Sequence, residues 1–107
     1  MSIWGWFLEK VICAAIWYDD GVQHKEQPIN ITTGFVVCGY RHHNCMVTAA
    51  ILSGQTEYQL NGTCGFLTSD NKFLDRYEAY ELASTYLYNL NDSPPHRVAR
   101  LYSEDLY

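Results

Sequence analysis

The chain has 107 residues, of which 48% are hydrophobic and 18% charged, a composition that is globular and not that of a disordered chain and that fits one domain. Seven Lys+Arg against twelve Asp+Glu leave a net charge of −5, which excludes a smooth binder of duplex DNA, because that function needs a basic stripe. Aromatic residues reach 15%, led by nine Tyr, more than a small core requires and suited to stacking or subunit contacts.

No apolar run is long enough to span a membrane. Residues 1–10 read as an N-terminal extension carrying Trp4 and Trp6. They lack a basic n-region, and Glu9-Lys10 interrupt the apolar stretch, so no secretion signal is expected. Cys13, Cys38, Cys45 and Cys64 are then expected as free thiols in a core, and the sequons at Asn30 and Asn61 carry no meaning.

Val11 to Tyr18 is a compact β-branched and aromatic run stopped by Asp19-Asp20-Gly21, a strand and hairpin turn with Val22 to Lys25 returning. Pro28 breaks that ladder. Phe35 to Tyr40 reads as the next strand. Cys45 to Leu52 follows as a short helix, with His43 or Asn44 near its N-cap and Gly54 just past its end. Tyr58 to Leu60 and Thr63 to Leu67 read as two strands around Asn61-Gly62, a favoured hairpin turn.

Asp75 with Glu78 three residues on forms an aspartate version of the capping box. Behind it Ala79, Leu82, Ala83, Tyr86, Leu87 and Leu90 repeat at helical spacing until Pro94-Pro95. Residues 93–107 form a tail in which Leu101, Tyr102, Leu106 and Tyr107 are placed to dock. The expected fold is therefore α+β, an antiparallel sheet of about five strands packed with two helices, the longer one C-terminal.

Three clusters could carry chemistry. In Tyr40-Arg41-His42-His43-Asn44, at a strand end entering a helix, arginine offers a planar fork for phosphate oxygens and helix amides add positive potential. The two histidines could donate to a phosphate or move protons. A solvated turn with one histidine capping the helix fits the same residues. In the block from Gly65 to Arg76, Phe66 and Phe73 offer faces for a base. Thr68, Ser69 and Asn71 offer hydrogen bonds, and Arg76 a cation; a polar turn with both phenylalanines in the core is the plain alternative. In the tail, Arg97 and Arg100 could clamp phosphates or simply be surface charges.

Cys38, His42 and Cys45 do not have the spacing of paired zinc knuckles, so no metal is expected. A Cys–His nucleophile has no visible orienting third group. No phosphate-binding glycine loop or nucleophile elbow is present, so neither catalytic residues nor a cofactor are expected.

The segments AAIWYDDG, GYRHHNC, GFLTSDNKFLDRYEAYELA and LYSEDLY resemble a set of small phage proteins, the first-described anti-Thoeris sponges. The resemblance spans roughly Val11 to Tyr107 and is most specific in RHHN, GFLTSDNKFLDR and SEDLY. It implies a protein made in the cytoplasm of the phage-infected bacterium that sequesters the cyclic ADP-ribose signal of Thoeris defence, holding it intact. Family members look like homodimers, or hexamers built from dimers, with the nucleotide at a subunit interface. Hexameric relatives are similar in also binding cyclic oligonucleotides of CBASS defence.

The matching positions are Arg41, His42, His43, Asn44, Phe66, Thr68, Ser69, Asn71, Phe73 and Arg76. This chain departs from the family at Cys64, where a Gln is usual before Gly-Phe, at the Tyr86-Leu87-Tyr88-Asn89-Leu90 helix end, and in its N-terminal extension. Those departures bear on ligand identity and oligomer size. Two rival functions remain open: a small histidine-dependent enzyme that degrades a cyclic nucleotide, and an acidic inhibitor that binds a host defence protein directly.

Overall fold

A computed structural model describes residues 8–54, 62–87 and 100–107. The fold is α+β, with elements in the order β1 (Val11–Tyr18), β2 (Phe35–Gly39), α1 (His42–Ser53), β3 (Gly62–Thr68), β4 (Phe73–Asp75) and α2 (Arg76–Ala83), then a 3-10 turn at Ser103–Asp105. The four strands make one antiparallel sheet in the order β2-β1-β3-β4. Central β1 has apolar side chains on both faces: the helices cover one, and the 19–34 connection covers the Trp17 end of the other.

Ala14, Ile16 and Tyr18 of β1 face the helices and join Phe66, Val37, Cys45 and Ala49 of α1, Ala79 and Ala83 of α2, and Leu101 in one core. The small residues Ala49, Ala79 and Ala83 let both helices approach the sheet closely. A bulge at Ile12 sets Val11 opposite Thr68 and Cys13 opposite Leu67. The extra residue lets Val11 turn inward with Ala14 while Ile12 stays half exposed.

The opposite face is covered by the connection between β1 and β2. Trp17 Nε1 donates to Thr33 O at 2.9 Å. The Asn30 amide brackets Phe73, donating to its carbonyl at 2.6 Å and accepting from its N–H at 2.8 Å. The Phe73 ring consequently lies over Gly65, where a Cβ would stand 2.1 Å from Leu74 O. Only glycine fits there.

Four elements differ from the sequence expectations. Val22 to Lys25 is no strand: the Asp19 and Asp20 carboxylates accept from Gly21 and Val22 N–H, turning the chain away. Gln27 Oε1 then takes the Val36 N–H on the free edge of β2, where a strand would have paired. Helix α1 starts at His42, three residues early, because Asn44 Oδ1 reaches back to the N–H of extended Arg41 at 2.9 Å.

The longer helix is α1, of 12 residues; α2 has 8. Its end follows from Ser84 and Thr85, whose hydroxyls donate to the Glu81 and Leu82 carbonyls and tighten the last turn. Tyr86 and Leu87 still pack on the core beyond it. Finally, Phe73–Asp75 is a strand where only a lead-in to the helix is expected. The expected strand at Tyr58 to Leu60 lies outside the described residues, as do Leu90, Pro94-Pro95 and the two N-terminal tryptophans.

The capping box forms as the sequence requires: Asp75 accepts from Tyr77 and Glu78 N–H, and Glu78 accepts from Asp75 N–H. Asp75→Ala should lower stability by about 1 kcal/mol. A shift in the urea midpoint with an unchanged slope is the expected signature.

Candidate functional site

Both helix N-termini converge on the 100–107 segment, and each is led by an arginine. Arg76 begins α2, and its Nη1 donates to Leu101 O at 2.9 Å while Leu101 N–H returns to Arg76 O at 2.9 Å. Its guanidinium lies 5.0 Å from the Tyr102 ring centre and its Nη2 reaches His42 Nδ1 at 3.3 Å. This fork holds the tail against the domain.

His42 is the hinge of that network. It is 8% exposed, packs edge-on to Phe66 at 5.2 Å, and its Nε2 lies 2.7 Å from Gly65 O. A carbonyl only accepts, so Nε2 carries the proton and Nδ1 is left to accept from Arg76. Burial, with the Arg76 charge in support and the Gly65 carbonyl opposing, pushes the imidazole below its usual value of 6.5.

The folded protein keeps His42 neutral while the unfolded chain binds a proton below about pH 6.5, so unfolded molecules hold more protons there. Stability should therefore be full above that pH and fall as the medium is acidified through it, by at most about 1.4 kcal/mol per pH unit from this group. Urea midpoints from pH 7.5 to 5 should show the slope, and His42→Gln should flatten it.

Arg41 forms a second, more exposed cluster. Its Nη2 donates to Tyr107 O at 2.5 Å, and its guanidinium carbon lies 4.6 Å from the Tyr40 ring centre and 5.0 Å from that of Tyr107. The two rings are 4.9 Å apart, so the three groups form a triangle. The Tyr107 hydroxyl donates to Tyr40 O at 2.7 Å and accepts from Ala14 N–H at 3.3 Å, filling the point where β2 diverges from β1. Arg41 Nη1 is buried with no hydrogen-bond partner among the described residues.

Beside this triangle lies an open groove of about 440 Å³ lined by Ile12, Cys13, Cys38, Gly39, Tyr40 and Tyr107. Its walls are mostly apolar and aromatic, with the cationic Arg41 behind the two tyrosines.

The other candidate residues are dispersed. His43 and Asn44 are exposed at the start of α1. Phe66 is fully buried and Phe73 is 5% exposed, so neither ring has a free face for a base. Thr68 is 1% exposed; its hydroxyl donates to Glu9 at 2.6 Å and accepts from Asp70 N–H. Ser69 pairs with Lys10 through both its hydroxyl and its N–H. Asn71 takes a left-handed turn conformation at φ 58°. Thr68 and Ser69 thus tie the β3–β4 turn to the 9–10 segment, while Asn71 O accepts from Ile29 N–H. Arg100 lies 5.5 Å from the Tyr77 ring, and Arg97 falls outside the described residues.

All four cysteines are free thiols, but only Cys45 is buried in the core; Cys38 is exposed, and Cys13 and Cys64 are half-buried. Alternation on strands explains the correction: Cys13 and Cys38 project from the sheet face away from the helices. Burial pushes the Cys45 thiol up to about 11. Among the described residues no group of three His, Cys, Asp or Glu could hold a metal ion. None of the described helices is long and apolar enough to cross a membrane.

The reading of the sequence picked out Arg41, His42 and Arg76 but missed Ile12, Cys13 and Cys38 as groove residues. Tyr107 was legible only as a docking residue of the tail. No curated protein and no solved structure matches the chain. The phage T4 y16D protein family matches residues 10–107, nearly the whole length. The chain is thus a phage protein, and it belongs to the phage T4 y16D protein family.

Proposed function

We propose that the protein is a phage anti-defence sponge that binds a cyclic ADP-ribose-type signalling nucleotide in the Tyr40–Arg41–Tyr107 groove and does not cleave it. One observation carries the reading: a buried guanidinium nitrogen of Arg41 has no hydrogen-bond partner among the described residues, and its group is flanked by the Tyr40 and Tyr107 rings that line the groove. An unsatisfied buried donor costs about 1–3 kcal/mol, which an incoming phosphate oxygen would recover. Arginine's fork suits that oxygen, and the tyrosine rings suit a base or ribose edge.

The groove volume falls in the range of roughly 300–1,000 Å³ typical of small-ligand sites. It is open on one side, and a second copy of the chain covering it would bury the rest of the ligand. That is the place in this reading for the homodimer, or a hexamer of dimers, and cyclic oligonucleotides are further ligands of the same chemical class. Sequestering a scarce signal requires nanomolar affinity, about −12 kcal/mol.

His42 supports binding over turnover. Both its ring nitrogens are engaged inside the protein, so it has no free position from which to act as acid or base on a ligand. His42 and Phe66 act from beneath, holding Arg76 and the tail that carries Tyr107.

The test is a thermal-shift series with cyclic ADP-ribose isomers and cyclic dinucleotides, since a ligand that binds only the folded state raises apparent stability. The reading expects a rise with at least one cyclic phosphate ligand that is absent in Arg41→Ala. No rise with any of them, together with capture of a host protein, would favour the acidic-inhibitor function.

A further inference from the structure

The groove also contains two thiols that the nucleotide reading does not use. On antiparallel β1 and β2, Ala15 pairs with Cys38 and Ala14 with Gly39, so Cys13 sits on the same sheet face, diagonal to Cys38. Both line the groove, and Cys38 is exposed while Cys13 is half-buried, so the two thiols stand side by side on one sheet face. We propose that Cys13 and Cys38 form a redox-active dithiol that closes into a disulfide by exchange with a low-molecular-weight disulfide such as oxidised glutathione.

The neighbouring Cys38 thiol holds the Cys13 thiol down at about 7, while Cys13 and burial push Cys38 up. Cys13 is thus the nucleophile and Cys38 the resolving thiol. Cys13 thiolate attacks one sulfur of the glutathione disulfide, forming a mixed disulfide and expelling one glutathione thiolate. Cys38 then loses its proton to solvent and attacks Cys13 Sγ, expelling the second. The protein dithiol loses two electrons and two protons, and one glutathione disulfide becomes two glutathione molecules.

Diagonal cross-strand residues stand roughly 7–8 Å apart, somewhat beyond the ~4.4–6.8 Å between Cα atoms usual for a disulfide. The strands must therefore draw together, and two features at this end of the sheet permit it: β2 stops at Gly39, and the Ile12 bulge breaks the β1 ladder on its other side. A bridge closed this way is strained and readily reduced, in keeping with a reversible site.

The experiment uses the reduced full-length chain incubated with oxidised glutathione, followed by alkylation, intact mass and tryptic mapping. Cleavage after Lys10, Lys25 and Arg41 places Cys13 and Cys38 on separate peptides, so a bridge between them is seen directly. The expected product has lost two hydrogens and yields those two peptides joined, with Cys45 and Cys64 alkylated. Cys38→Ser should instead accumulate one glutathione adduct on Cys13, and Cys13→Ser should slow modification by roughly tenfold. Independent alkylation of all four cysteines in the wild-type chain, or a glutathione adduct on its Cys13 that is never resolved, would overturn the proposal. Neither result depends on whether a nucleotide binds.

Discussion

Replacing Arg76 with alanine is expected to destabilise the fold by roughly 3 kcal/mol and to free the 100–107 segment, a large loss for a domain of this size. The deletion strips the donor from Leu101 O, a carbonyl belonging to a residue with no exposed surface, and from His42 Nδ1. Each orphaned buried acceptor costs about 1–3 kcal/mol, and the lost contact with the Tyr102 ring adds about 0.5–1. The thermal midpoint should fall by more than about 10 °C, and amides of 101–107 should exchange faster. Arg76→Lys should recover only part, because an ammonium cannot span two acceptors as the planar fork does. A midpoint unchanged to within about 2 °C would mean that Arg76 does not hold the tail.

Arg41→Ala should behave oppositely, costing little stability and most of the binding. Its hydrogen bond to Tyr107 O is lost, but so is the burden of a buried guanidinium nitrogen with no partner among the described residues. The two effects offset, and the change in unfolding free energy should stay within about 1 kcal/mol. In the proposed complex the same substitution removes a charge-assisted bond worth about 1.5–3 kcal/mol, a loss of roughly 10- to 150-fold in affinity. Arg41→Lys should lie between, keeping charge without the fork. A variant that unfolds while its residual folded fraction binds normally would reassign Arg41 as a purely structural residue.

Much of this architecture was readable where the determinants are local. β1 was readable to its last residue because a β-branched and aromatic run meets two aspartates and a glycine. The Asp75–Glu78 box and the left-handed Gly54 cap of α1 were readable for the same reason. What escaped depends on partners far along the chain or on a side chain acting backwards on the residue before its helix. The three-residue β4 has no alternation to announce it, and its Phe73 backbone is gripped by Asn30, 43 positions earlier. The start of α1 escaped because arginine is no natural N-cap; the stabilising group is Asn44, acting backwards.

The candidate site divides the same way. Arg41, His42 and Arg76 stand out by residue type at helix starts. The role of Tyr107 does not, because it meets Arg41 across 66 positions. The neighbouring thiols of Cys13 and Cys38 appear only once the β1–β2 register is known. Phe66 and Phe73 mislead in the other direction. Beside a polar turn they look like stacking platforms, yet sheet alternation sends one into the helix-facing core and the other beneath the 19–34 connection.

The most direct measurement is calorimetric titration of the chain with cyclic ADP-ribose isomers, followed by heat release of the bound ligand and determination of its mass. The account predicts saturable nanomolar binding of at least one isomer, strongly weakened in Arg41→Ala, and a released ligand identical in mass to the one added. Binding equally tight without the Arg41 guanidinium, or recovery of a hydrolysed product, would contradict it.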